Sequence, residues 1–225
     1  MSTVVSALTV ADREANPAAR FTALGRWAAA GTLVVGATFQ VVAFALIPDF
    51  DNTVDRLEWI AAHSARAEVS KTFDLLAVPF LLAGVIVYVL LTRERTPRLA
   101  WASGIVLGLG LCGLMAVQGW ETLEFALVTD GRFHLVPLAD VADNAATAPA
   151  AAMGIMFIAG AVFGIVLTAL ALWRSRVVPR AVPILMIAFI VTDIALSQPL
   201  IAHVIALVGA LWIATTILGA TRPSD

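Results

Sequence analysis

Residues 182–219 read VPILMIAFIVTDIALSQPLIAHVIALVGALWIATTILG, and in this stretch Asp193 and His203 are the only ionisable side chains. A single helix of that length would run to about 57 Å, nearly twice the roughly 30 Å apolar core of a bilayer. The stretch has one natural break, Ser197-Gln198-Pro199. Proline removes a backbone donor and restricts the residue before it, so the chain is expected to turn there. That gives two helices, a rather short one from Val182 and a second over Leu200–Gly219.

Four more runs of similar character lie upstream: Trp27–Ile47, Thr72–Thr92, Leu99 to about Gly119, and Ala152–Trp173. Of the 225 residues, 60% are apolar and 13% charged, and mean hydropathy is +0.93. Such a chain carries more apolar surface than a water-facing domain can hide. The expected fold is all-α, an integral membrane bundle of about six transmembrane helices, because backbone in lipid must satisfy its own hydrogen bonds. The expected organisation is a cytoplasmic tail over 1–26, a transmembrane domain over 27–220 and a cytoplasmic tail over 221–225. Ala43-Phe44-Ala45 resembles a signal-peptidase site, but the run before it is long and more spans follow, so it is read as the first membrane helix.

Charge orients the bundle. Arg13, Arg20, Arg26, Arg93, Arg95, Arg98, Arg174, Arg176, Arg180 and Arg222 are ten of the 14 basic residues, and all flank spans on one side. By the positive-inside rule that side is cytoplasmic, which puts both termini there. Asp49, Asp51, Asp55, Glu58, Glu68, Asp130, Asp140 and Asp143 fall on the other side. Trp27, Trp101, Trp120 and Trp173 sit at span ends, as an interfacial belt would.

The two long outer segments have different expectations. In 48–71, Leu57, Ile60 and Ala61 recur at helical spacing, which predicts a short amphipathic helix. Residues 130–151, with Gly131, Pro137 and Pro149, are expected to be loop with one helical turn near Asp140–Ala146.

One motif repeats. Arg93-Glu94-Arg95-Thr96-Pro97-Arg98 echoes Arg174-Ser175-Arg176-Val177-Val178-Pro179-Arg180, so hairpins 2–3 and 4–5 are candidate structural repeats. The run Leu170-Ala171-Leu172-Trp173-Arg174 with Pro179-Arg180 resembles a group of small actinobacterial multi-pass membrane proteins. In that group a leucine-tryptophan-arginine run and a proline-arginine pair close the fourth helix. The resemblance covers roughly helices 2–6 and implies a six-helix fold without implying any chemistry.

Ionisable residues inside spans cost roughly 2.5–3.5 kcal/mol each by insertion scales and default to functional candidates. Here they are Asp74, Glu121, Glu124, Asp193 and His203, all towards the outer side. Gln118, Glu121 and Glu124 share one helix face, and Asp193 and His203 flank the Ser197–Pro199 turn. A pocket open to the outside between helices 2, 3, 5 and 6 is expected, with His63 as its cover. A carboxyl in apolar surroundings suits a general acid. Hence Glu121, Asp193 and Asp74 are the candidate catalytic groups for cyclising or isomerising a lipophilic prenyl-type substrate. Gln118, Trp120, Glu124, Phe125, His203 and His63 are the candidate binding groups, with Trp120 and Phe125 offering π-faces to a carbocation. The design is similar in architecture to small integral-membrane terpene cyclases. Asp74 has a blander reading, an ion pair with Lys71, and Gln40 is expected to bond another helix.

Whether the chain is an enzyme stays open. The alternatives are binding or proton-coupled transport of an amphiphilic molecule, or a non-catalytic partner subunit. No HExxH, GxSxG or phosphate loop is present, and the lone Cys112 builds no site, so neither cofactor nor metal is expected. The expected partner is the lipid bilayer. A lipophilic small molecule and a second copy of the chain are left open, and nucleic acid is not expected.

Overall fold

The computed structural model describes residues 21–144 and 147–220, and all of their regular secondary structure is helical. The tails carrying Arg13, Arg20 and Arg222, and Ala145-Ala146 of the expected helical turn, lie outside the described residues. In chain order the helices are α1 (Ala23–Leu46), α2 (Thr53–Ala62), α3 (Ser64–Thr92), α4 (Pro97–Asp130), α5 (Leu135–Asn144), α6 (Ala148–Ser175), α7 (Ala181–Ile190) and α8 (Pro199–Gly219). A π-helical turn, Val191–Ala195, extends α7.

Five helices, α1, α3, α4, α6 and α8, are long and apolar enough to cross a membrane. The sixth expected span falls short: α7 and its π turn cover 15 residues, Ala181–Ala195, about 22 Å at ~1.5 Å per residue. Ile86, Ile105, Ile155 and Phe163 are each 60% or more exposed on the bundle's flanks. A water-facing surface would not carry so many large apolar side chains in contiguous bands.

The six long-axis helices close a ring, in the order α1, α3, α4, α6, α7, α8 and back to α1, and α3 also touches α6. The tightest seam is α4 against α6. A Cβ on Gly160 would lie 2.4 Å from Gly110 Cα, and one on Gly110 would lie 2.6 Å from the Gly160 carbonyl carbon. Gly113 against Phe157 and Gly164 against Leu107 are equally close. Without a hydrophobic drive between helices in lipid, backbone approach of this kind supplies the dispersion contact that holds them. The Gly160-x-x-x-Gly164 spacing that permits it is a pattern of the sequence itself.

One apolar cluster gathers Ala29 and Leu33 of α1, Leu91 of α3, Leu172 of α6, Val182 of α7 and Ile217 of α8. The start of α1, the ends of α3, α6 and α8 and the start of α7 therefore share one end of the bundle. That end carries Arg26, Arg93, Arg95, Arg98, Arg174, Arg176 and Arg180; we call it the arginine end. At the other, acidic end α2 and α5 form a cap, with Leu57, Ile60, Ala67, Val128 and Ala139 packed together and Thr53 Oγ1 donating to Asp143 Oδ1 at 2.6 Å.

Three expectations need correction. The second long helix starts at Ser64, not Thr72, because α2 hands over to it across His63 alone. α4 runs to Asp130, about three turns past Gly119, so Glu121 and Glu124 sit within a helix rather than at its end. The 130–151 segment holds a ten-residue helix, α5, where one turn was expected. Its Pro137 lies in the first turn, where the missing N–H has no helical partner to lose.

Candidate functional site

Asp74 of α3 and Glu121 of α4 join one network, which also reaches α1. Gln40 Nε2 of α1 donates to Asp74 Oδ1 at 2.9 Å. Gln118 Nε2 of α4 donates to Asp74 Oδ2. Lys71 Nζ donates to Gln118 Oε1 and to Glu121 Oε2 and stands 3.6 Å from Asp74 Oδ2. Gln40 and Gln118 are buried, and the side chains of Lys71 and Asp74 are only 14% and 16% exposed. Ser70 Oγ donates to Ala43 O at 2.8 Å beside them and adds a second α1–α3 tie. Buried charge is tolerated only when paired and hydrogen-bonded, and this network supplies both.

This geometry reassigns roles. Both oxygens of Asp74 accept amide hydrogens, from Gln40 and Gln118. Glu121 is held by Lys71. Glu124, expected beside them as a binding group, is separate. It is almost fully buried, and Arg56 of α2 donates to both its oxygens at 2.7 and 2.9 Å. That ion pair fastens the cap to α4.

Asp193 and His203 form a second centre. The π turn holds Asp193, and Leu196 N–H donates to Val191 O at 3.1 Å. Ser197 then takes a left-handed backbone, φ 50°, which a non-glycine residue rarely adopts. Pro199 opens α8, with its missing N–H harmless at that position. His203 Nδ1 lies 2.7 Å from Pro199 O. A carbonyl only accepts, so Nδ1 carries a proton and Nε2 is the nitrogen left for a partner. The ring stacks on Phe44 at 4.2 Å and meets the edge of Phe189 at 5.4 Å. It lies within electrostatic reach of both Asp193 and Asp74.

The remaining candidates do not join them. His63 is exposed, stacks on Trp59 at 4.9 Å, and its Nδ1 lies 3.1 Å from Trp59 O; it covers nothing. Trp120 is 44% exposed. Phe125 packs against the apolar cap. The space expected between the acids is filled by Lys71. Instead, an open cavity of about 390 Å³ lies beside them, lined by Phe44, Ile47, Phe50, Asp51, Arg56 and Pro199 among others. Through Phe44 and Pro199 it adjoins His203, and through Arg56 it adjoins Glu124.

Arg56 is the residue that the sequence reading missed. Its place on the amphipathic α2, beside Leu57, is the signal that could have found it. Lys71 appeared only as a partner for Asp74 and proves to be the hub.

Comparison with protein-family models, with curated proteins and with solved structures finds no match to this chain.

Proposed function

We propose that the chain is a six-pass protein of the cell membrane with both ends cytoplasmic, and that its outer end binds a small amphiphilic molecule. The observation that carries the binding reading is the cavity between Phe44, Pro199 and Arg56, which adjoins His203 on one side and the Arg56–Glu124 ion pair on the other. Pro199, at the turn between α7 and α8, forms one wall of that cavity. An apolar body would lie against Phe44 and Phe50. A polar head would meet Arg56 or the free Nε2 of His203. The clustering of α1, α3, α6, α7 and α8 ends supports six alternating passes, and the arginines at that end support its cytoplasmic placement.

A second reading, acid-catalysed cyclisation or isomerisation of a prenyl-type substrate, is favoured by one observation. Among the described residues Asp193, unlike Asp74, Glu121 and Glu124, is in no ion pair. It is the carboxyl left to act as the acid, with His203 as its neighbour.

The test is mass spectrometry of membranes holding wild type, Asp193→Asn or His203→Ala at equal abundance, after feeding prenylated compounds. A compound that co-purifies with wild type and is lost in both variants supports binding. A new product made by wild type alone supports the enzyme. Identical extracts from three well-folded proteins would defeat both readings.

A further inference from the structure

The arginine end has its own cavity, of about 480 Å³, lined by Arg95, Thr96, Pro97, Arg98, Leu99 and Arg174. It forms where the α3–α4 turn meets the end of α6. Arg95 Nη1 donates to Ser175 O at 2.7 Å, which pins the turn against α6 and brings Arg98 and Arg174 to one recess. Among the described residues no carboxylate lines it. Orientation in a membrane needs arginines on one side, but it does not need three of them to converge on one cavity. Arg176 and Arg180, on the next turn, do not line it, and Arg180 lies over the Trp173 ring at 5.5 Å.

The surroundings select the ligand. Trp101, one turn into α4 from Arg98, is 58% exposed, and Trp173, next to Arg174, is 42% exposed. Exposed tryptophans at helix ends sit at the headgroup level of a bilayer, so the recess opens where phosphate groups lie. Guanidinium forks match phosphate oxygens in geometry and charge. Below the recess the flanks are apolar, with Ile105 exposed two turns along α4 from Arg98.

We infer that this recess is a binding site for the phosphate headgroup of an anionic phospholipid, held by Arg98 and Arg174, with the acyl chains along α4. It is independent of the outer cavity.

Native mass spectrometry of the detergent-solubilised full chain tests it, titrating phosphatidylglycerol against phosphatidylcholine and, separately, inorganic phosphate. The expected result is preferential retention of phosphatidylglycerol. Arg98→Gln with Arg174→Gln is expected to weaken that retention by roughly thirtyfold, through loss of two guanidinium–phosphate contacts. The control Arg93→Gln with Arg176→Gln keeps the same net charge as that variant and is expected to bind as wild type. Equal weakening in both variants would reduce the effect to overall charge and overturn the site. Phosphate binding without preference for phosphatidylglycerol would assign the recess to a soluble anion and overturn the lipid. Thermal unfolding of each variant without lipid separates loss of fold from loss of binding.

Discussion

Lys71 Nζ and Asp74 Oδ2 stand 3.6 Å apart, one turn from each other on α3, and both side chains are turned into the bundle. From that pair the network reaches α1 through Gln40 and α4 through Gln118 and Glu121. One ammonium group thus serves two carboxylates. Removing it as Lys71→Met leaves both uncompensated, and breaking a buried pair this way costs about 3–5 kcal/mol. The low end is expected, since the Glu121 side chain is 36% exposed and screened by solvent. Adding Asp74→Asn and Glu121→Gln to Lys71→Met is expected to recover much of the loss, read by thermal unfolding in detergent. A Lys71→Met protein as stable as wild type would show that the network does not hold the bundle.

The Arg56–Glu124 pair is asymmetric, with side chains 32% and 1% exposed. Arg56→Met strands a buried carboxylate and is expected to cost about 3–5 kcal/mol. Glu124→Gln leaves a guanidinium that water still reaches, so its cost is expected to be clearly smaller. The same unfolding assay compares them, and equal costs would contradict the burial.

The α4–α6 seam gives a sharper contrast. Gly160→Ala places a methyl 2.4 Å from Gly110 Cα, so the backbones must separate, at a cost of about 3 kcal/mol, the upper end for overpacking. Gly108 and Gly154, on the same two helices, have open space where a methyl would go, with nothing within 4 Å of it. Gly108→Ala and Gly154→Ala are expected to be neutral or to gain up to about 1 kcal/mol of helix propensity. A Gly160→Ala protein that unfolds with these two would disprove the close approach.

Topology has a direct readout. In a Cys112→Ala background, Asp51→Cys is expected to label from outside intact cells, and Arg176→Cys and Gly219→Cys only after permeabilisation. Labelling of Gly219→Cys from outside would mean that α7 does not cross and that the chain has five passes.

Hydropathy alone made the helices legible in the sequence, and Ser197-Gln198-Pro199 marked the last hairpin. The short length of α7 was half visible, since Pro199 limits it from one side and Pro179-Arg180 from the other. The cap was not. Arg56 reaches Glu124 across 68 residues, and no local pattern carries such a pairing. Of the partners of Asp74, Lys71 and an interhelical bond from Gln40 were legible, but that Gln40 and Gln118 converge on the same carboxylate was not. Intramembrane acids drew attention to one end of the bundle, but their burial and pairing exist only once α1, α3 and α4 are packed.

The central claim is that the outer cavity holds an amphiphilic molecule, and photocrosslinking tests it most directly. A benzophenone amino acid placed at Phe44 in native membranes is expected to capture a discrete small molecule, seen as one added mass on the intact protein. The same probe at the exposed Ile105 is expected to give only the mixed adducts of bulk lipid, and Asp193→Asn or His203→Ala is expected to abolish the discrete adduct at position 44. Mixed lipid adducts at both positions, unchanged by either variant, would show that the cavity has no ligand of its own and would contradict the account.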